Sequence, residues 1–157
     1  MAFLTLKPTS VTDYNNAIDA LTISFNFKTT VATGVLVYAT GKSSPDFLSI
    51  HILSKIKARA EINLGSKMNY VDVDIELTGR TFDDNKAHSV SFEFNRKEVT
   101  FSVDYLSRRQ MVDPLASTHL DLDGQPMFLG RGYGSAEGFI GCIQGFVSRS
   151  IWFYFAC

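Results

Sequence analysis

The sequence lacks the residues that would build a metal-stapled, disulfide-rich or nucleic-acid-binding protein. Among 157 residues it has two cysteines, three scattered histidines and no Cys-x-x-Cys pair, which permits one disulfide and argues against a structural zinc site. Fifteen basic and sixteen acidic residues give a formal charge of −1, and no run of lysine or arginine occurs. A nucleic-acid partner is therefore not expected, because nucleic-acid phosphates require a basic surface.

Long apolar runs are also missing. Residues 1–10 have no basic segment ahead of an apolar stretch, so no signal peptide is expected in this chain. No apolar run reaches the roughly 18 residues of a membrane span. The composition is otherwise ordinary, with 45% hydrophobic residues and thirteen phenylalanines, and it predicts one globular domain with its own core.

Alternation of apolar and polar residues dominates the chain and predicts β-strands. From Leu21 to Phe27 every odd position is apolar, which places those side chains on one face of a pleated strand. Further runs with strand character are Gly34–Ala39, Phe47–Ile52, Ile56–Leu64, Val71–Leu77, Val90–Phe94 and Val99–Val103. Asn95 to Lys97 is short enough for a hairpin turn. Turn residues recur about every 8 to 12 positions, which predicts an all-β antiparallel sandwich.

The order of these segments resembles a known family. The fragments that carry the resemblance are Ile23–Thr29, Gly34–Tyr38, Asp46–Ile50, Ile62–Gly65, Phe82–Val90, Val99–Asp104, Met127–Gly130 and Phe139–Ile143. In this order they resemble a laminin G-like domain, of the laminin, neurexin and sex-hormone-binding-globulin type, over roughly Leu21 to Phe146. The nearest likeness is to neurexins. The resemblance implies a jelly-roll, concanavalin-like sandwich.

Departures from the family pattern define the expected domain limits. Ala87 stands where the family has tryptophan, and Arg131 replaces the second glycine of a Gly-Gly pair. We expect an irregular lead-in with a first edge segment over residues 1–20, the sandwich over 21–146 and an atypical apolar tail over 147–157. The tail indicates a truncated or alternatively ended module.

The resemblance also implies a calcium site on the rim of the sandwich. Asp46 would supply a carboxylate, and Leu64, Leu120 and Leu122 would supply backbone carbonyls. One or two carboxylates suffice for a weak site, because carbonyls and water complete the six to eight oxygens. Asp121 and Asp123 lie close by and could add oxygens. The alternative is that Asp46 and Asp123 only complete turns, as aspartate commonly does.

The function implied by the resemblance is extracellular and non-enzymatic. Such a module mediates cell adhesion or synaptic recognition through its rim loops, with a partner of the neuroligin or dystroglycan class. The parent protein would be membrane-anchored, with EGF-like neighbours and an export signal elsewhere. The alternative binding function is a calcium-independent lectin or heparin-binding face involving Lys55, Lys57 and Arg59.

A less favoured alternative is a jelly-roll glycoside hydrolase. Asp72, Asp74 and Glu76 alternate on a predicted strand, about 6.6 Å apart by the strand rise, near the 5 to 5.5 Å of retaining hydrolases. The motif begins with Asp rather than Glu, and Trp152 lies far along the chain, in the tail. We therefore expect a solvated strand face.

The histidines and cysteines predict no chemistry. His51, His88 and His119 lie in separate segments without a nearby acidic partner in the sequence, and His51 is expected to face solvent.

A hairpin of residues 139–146 and 150–155, turning near 147–149, leaves Cys157 three or four residues beyond the position opposite Cys142. At about 3.3 Å per residue that offset exceeds the reach of a disulfide, so the two cysteines are expected to be unbridged unless the tail bends back.

Overall fold

The computed structural model describes residues 4–6, 18–65, 68–113, 117–123, 125–130, 138–148 and 151–153. Within these residues the chain forms twelve strands and a single 3₁₀ turn, Glu76–Thr78. The strands are β1 (Leu4–Leu6), β2 (Ala20–Thr29), β3 (Gly34–Thr40), β4 (Phe47–Ile52), β5 (Lys57–Asn63), β6 (Met68–Asp74), β7 (His88–Asn95), β8 (Glu98–Val103), β9 (Leu106–Met111), β10 (Met127–Leu129), β11 (Gly141–Ser148) and β12 (Ile151–Phe153).

The strands form two six-stranded sheets packed face to face. One sheet has the order β1-β10-β3-β4-β5-β6 and the other β12-β11-β2-β7-β8-β9. Every strand pair in the described part of the chain is antiparallel. The prediction of an antiparallel β-sandwich is therefore confirmed. On one side of the sandwich the edge strands β6 and β9 lie next to each other.

The core lies between the sheets and follows the predicted alternation. In β2 the odd-numbered residues are buried and the even-numbered residues from 20 to 28 are exposed. The largest fully buried side chains include Phe27, Phe82, Phe92, Phe101 and Phe146, each of which contributes roughly 1.5 to 3 kcal/mol by its burial. None of the described residues forms a helix long and apolar enough to cross a membrane.

The predicted strand Val71–Leu77 ends earlier than expected, at Asp74. The Asp74 carboxylate accepts the N–H of Glu76 at 2.9 Å, and Gly79 closes the following 3₁₀ turn with a left-handed φ of 70°. These local bonds favour a turn over a strand because they satisfy backbone groups within the segment. Leu77, predicted to lie on the buried face of the strand, is fully exposed.

The prediction that the cysteines are unbridged is wrong, because Cys142 is in a disulfide. The chain's other cysteine, Cys157, lies outside the described residues. The hairpin of β11 and β12 pairs Ser148 with Ile151, so it turns later than predicted. Each one-residue shift of the turn displaces the predicted pairing by two residues, so the offset on which that prediction rested does not hold. A register shift in β11 follows Gln144, where Gly145 has a φ of 63°.

Candidate functional site

The turn before β4 is built from polar backbone contacts and ends at Asp46. The N–H of Gly41 donates to the Asp46 carbonyl at 2.9 Å, and the Asp46 N–H donates to Ser44 Oγ at 3.2 Å. These bonds close residues 41–46 into a compact loop before β4 begins at Phe47. The loop therefore presents Lys42, Ser43 and Pro45 to solvent while Asp46 points inward.

The Asp46 side chain fastens this loop to a second segment distant in the sequence. It is only 4% exposed, and its Oδ2 accepts the backbone N–H of Asp121 at 2.7 Å. Leu120, next in the chain, exchanges two backbone hydrogen bonds with Ile18. We call residues 41–46 and 120–123 together the Asp46 rim.

Asp123 makes a second connection across the rim. Its Oδ2 accepts the N–H of Ser43 at 2.7 Å, the Ser43 hydroxyl at 3.0 Å and the N–H of Ser44 at 3.1 Å. The bond from the Ser43 N–H, followed by that from its hydroxyl, lowers the pKa of Asp123 below its usual value. Three donors on one carboxylate oxygen make the two segments a single unit.

Close approach of the two segments requires a glycine at position 41. A Cβ on Gly41 would lie 2.7 Å from the Asp121 carbonyl oxygen and 3.0 Å from the Ser44 carbonyl oxygen, both well inside ordinary contact. Gly65, on the far side of Asp46, has a left-handed φ of 90°, and its Cβ would meet Asp46 Oδ1 at 3.2 Å. The carboxylate thus lies between two backbone segments.

The structure places chain neighbours of the three predicted carbonyl ligands beside the Asp46 carboxylate. Asp46 lies between the Asp121 N–H and Gly65, which are the chain neighbours of Leu120, Leu122 and Leu64. The leucine side chains are buried and anchor the rim in the core.

The Asp46 carboxylate could bind a cation only in a site completed by other kinds of oxygen ligand. Oδ1 of Asp46 accepts no hydrogen bond from the described residues, while the carbonyls of Leu120 and Leu122 accept the N–H groups of Ile18 and Gln125, each at 2.8 Å. A carbonyl keeps a second lone pair for a cation. No three His, Cys, Asp or Glu side chains gather as metal ligands in the described part of the chain. Backbone carbonyls and water would therefore have to supply most of the oxygens.

The acidic residues of β6 do not form a catalytic pair. Arg59 on β5 lies beside Asp72 and donates to both of its carboxylate oxygens, at 2.6 and 2.9 Å, and this hydrogen bonding lowers the pKa of Asp72. Asp74 holds the N–H of Glu76, which itself has left the strand. The hydrolase alternative requires free carboxylates on one face, and this arrangement does not provide them.

The predicted basic face is largely neutralised. Arg59 contacts Glu61 as well as Asp72, and its guanidinium lies 4.2 Å from the centroid of the Tyr70 ring. Lys57 is paired across the strands with Asp74, and Lys55 lies 3.4 Å from Asp83. Because each cation has an acidic neighbour, this surface offers little free positive charge to an anionic glycan.

The sequence did not predict the buried cluster around His88. His88 is 0% exposed, and its ring nitrogens lie 2.9 Å from Asp104 Oδ2 and 3.2 Å from Asp84 Oδ1. Burial alone would raise the pKa of Asp84, but the Lys86 N–H and the His88 ring outweigh it and lower the pKa. Asp84 precedes His88 by four residues, which was the available signal. His51 does lie on the polar side of its strand, half-buried, with burial lowering its pKa.

Comparison with known proteins agrees with this architecture. Residues 27–150 match the family described as Laminin G domain. Neurexin-4 of Drosophila melanogaster is 30% identical over 125 residues, which make up 78% of this chain but only 9% of that protein. Domains LG4-5 of the mouse laminin α1 chain align with a TM-score of 0.74 at 19% identity, covering 96% of this chain and 39% of that one. The LG1-3 region of the laminin α2 chain gives 0.76 at 20% identity, covering 97% and 31%.

Proposed function

Because this chain belongs to the laminin G domain family, we propose that it is a non-enzymatic module that binds a cell-surface or matrix protein through the Asp46 rim. Domains of this family are generally non-catalytic binding modules of extracellular proteins. The partner class that the resemblance implies is that of neuroligin or dystroglycan, with a role in adhesion or synaptic recognition.

The observation that supports the rim as the contact surface is its polar construction. Asp46 and Asp123 hold the two segments together mainly through backbone donors, so the exposed side chains of Lys42 and Pro45 are not needed to maintain the rim. A loop that is rigid in its backbone and free in its side chains is well suited to recognition, since little ordering is needed on binding.

Calcium is part of the proposal. The Asp46 carboxylate and the carbonyls of Leu64, Leu120 and Leu122 would hold the ion. When bound, it would offset the negative charge of the nearby carboxylates and accept oxygen ligands from the partner. Asp46 has an additional role in the protein itself, because its carboxylate holds the backbone N–H of Asp121.

Immobilised ectodomains of neuroligin and α-dystroglycan test the proposal by surface plasmon resonance, with and without calcium. The rim variant is Pro45→Arg, which places a large side chain at an exposed position whose side chain has no hydrogen bond to lose. Its matched control is Thr22→Arg, at a position of β2 that is also exposed. We expect at least one ectodomain to bind the unmutated chain and the Thr22→Arg variant with the same affinity. The Pro45→Arg variant should bind that ectodomain at least tenfold more weakly, which corresponds to about 1.4 kcal/mol of binding free energy.

Two results would contradict the proposal. Absence of binding to both ectodomains in calcium would remove the partner assignment. Loss of binding in Thr22→Arg, with Pro45→Arg unaffected, would move the contact surface from the rim to the sheet.

A further inference from the structure

Strand β9 is an exposed sheet edge. It is the last strand of its sheet, and five of its six residues, Ser107 to Met111, are exposed. Its neighbour across the sandwich, β6, contacts it without forming a ladder. A strand in this position carries a row of backbone groups directed away from its own sheet, which is the usual template for pairing with another chain.

The register identifies which backbone groups point outward. The N–H of Val112 donates to the Lys97 carbonyl of the β8 side at 2.8 Å. Because hydrogen-bonded residues alternate along an antiparallel pair, the N–H groups of residues 106, 108, 110 and 112 face β8. Those of Ser107, Arg109 and Met111 therefore face outward, and among the described residues no acceptor is in place for them.

The ends of this row are already defined. The next outward N–H, that of Asp113, donates to Asn69 Oδ1 on β6 at 3.2 Å, so the row stops there. The carbonyl of Ser107 is covered by the side chain of Arg108 at 3.4 Å and that of Met111 by Gln110 at 3.2 Å. These long contacts come from exposed, flexible side chains that an incoming strand can displace.

The charge on β9 favours an acidic partner over a second copy of the chain. Arg109 lies 3.6 Å from Glu98 with most of its side chain exposed, and Arg108 forms no ion pair with the described residues. Two β9 strands pairing antiparallel would bring their arginines together, and like charges opposed across strands are destabilising. Adjacent residues of a strand point to opposite faces, so two consecutive acidic residues of a partner can meet both arginines.

A groove with both polar and apolar lining adjoins the same edge. Met68 and Tyr70 of β6 and Met111 of β9 are each about half exposed, and they line a groove of about 480 Å³ that continues to Asp113. A large apolar side chain of a partner segment would bury area there, which supplies affinity that edge hydrogen bonds alone do not.

We propose that β9 binds an extended segment of another protein by strand addition, the segment carrying two adjacent acidic residues and an apolar residue at the groove end. This surface lies on the side of the sandwich between β6 and β9. It does not depend on the Asp46 rim or on calcium.

Amide hydrogen exchange followed by NMR tests the proposal on the whole chain with two synthetic probes. These are acetyl-Ile-Thr-Val-Glu-Glu-Val-Thr-Ile-amide and its counterpart with two lysines in place of the glutamates. With the glutamate peptide at millimolar concentration we expect about tenfold slower exchange of the Ser107, Arg109 and Met111 amides, the protection given by ligand at roughly ten times its dissociation constant. The amides of Arg108 and Gln110 should change little, because they are already bonded to β8.

Substitutions distinguish the contribution of the backbone N–H to peptide binding from that of the arginine charge. Arg109→Ala removes the charge and keeps the N–H, so it should weaken binding by about twofold to fivefold. Arg109→Pro also removes the outward N–H without removing a ladder bond, a change tolerated at an edge, and should abolish binding. The double variant Arg108→Glu with Arg109→Glu should bind the lysine peptide in preference to the glutamate peptide.

Three outcomes would overturn the proposal. Unchanged exchange at the three amides with the glutamate peptide would exclude strand addition. Equal protection by both peptides would exclude the acidic specificity. Protection that rises with protein concentration when no peptide is present would identify a second copy of the chain as the occupant.

Discussion

The Nδ1 atom of His88 lies 2.9 Å from the Oδ2 atom of Asp104, across the hairpin formed by β7 and β8. The other carboxylate oxygen of Asp104 accepts the Ser89 N–H, also at 2.9 Å. Asp104 occupies the left-handed region with a φ of 53°, which aspartate and asparagine tolerate better than most residues. One turn residue thus links a buried imidazole to the backbone of the neighbouring strand.

Replacement of Asp104 by asparagine should lower the free energy of unfolding by about 1 to 2 kcal/mol, because a charged acceptor of several bonds becomes a neutral one. Asparagine keeps the left-handed backbone unstrained, so the loss reports the carboxylate. Urea denaturation gives the measurement, and Glu93→Gln, at an exposed position of β7, is the control that should change stability by less than about 0.5 kcal/mol. Equal effects of the two substitutions would show that the cluster does not stabilise the fold.

Stability should depend on the Arg59–Asp72 pair in a defined pH range. The hydrogen bond from Arg59 lowers the pKa of Asp72 below 3.8 in the folded state. A lowered carboxyl pKa stabilises the fold at pH values above the unfolded pKa, and this contribution disappears as the pH falls through the folded pKa. Asp72→Asn should therefore cost about 1 kcal/mol at neutral pH and nothing in strong acid, as measured by urea denaturation across the range. A difference that persists in acid would assign the effect to packing.

Addition of a methyl group at Gly41 should disrupt the Asp46 rim. The new Cβ would lie 2.7 Å from the Asp121 carbonyl oxygen, so the two rim segments must separate and strain the bonds of Asp46 and Asp123. We expect Gly41→Ala to cost about 1 to 3 kcal/mol in thermal or chemical denaturation. Lys42→Ala, at the exposed neighbouring position, should have almost no effect. A neutral Gly41→Ala would mean that the rim is not closely packed.

Calorimetric titration with calcium tests the metal part of the proposed function. The parent domain should release or absorb heat on binding, and Asp46→Asn should bind at least tenfold more weakly, because it removes the one buried carboxylate of the site. Glu93→Gln, the same carboxylate-to-amide change at an exposed position of β7 in the other sheet, is the matched control. Identical curves for the parent and Asp46→Asn, or no heat in either, would remove calcium from the proposal.

The alternating strands of the core could be predicted from the sequence, and the edges could not. Leu21 to Phe27 reads as a half-buried strand because one of its faces meets the core. Strand β9 has no such face. Its sequence is Leu-Ser-Arg-Arg-Gln-Met, and because both of its faces are exposed, apolar and polar residues do not alternate along it. The alternation of apolar and polar residues continues through Glu76 and Leu77, but the Asp74 carboxylate and Gly79 favour a turn there.

The candidate site was only partly predictable for the same reason. Asp46 and the 120–123 segment were identified through the order of motifs, since nothing local pairs residues 75 positions apart. Asp84 is a local partner of His88 that the sequence spacing could have indicated, whereas the contact with Asp104 depends on the register of β7 on β8. The Cys142 disulfide was missed because a small error in the position of a turn is doubled along the returning strand.

The packing around His88 makes this residue a spectroscopic reporter. The Phe27 ring stacks on the imidazole with centroids 5.2 Å apart, and the Phe82 ring meets it edge on at 5.3 Å. Ring currents from the two phenylalanines displace the proton resonances of the imidazole from their free positions. A single histidine signal in a one-dimensional spectrum therefore records whether β2, β7 and the loop that carries Phe82 are assembled.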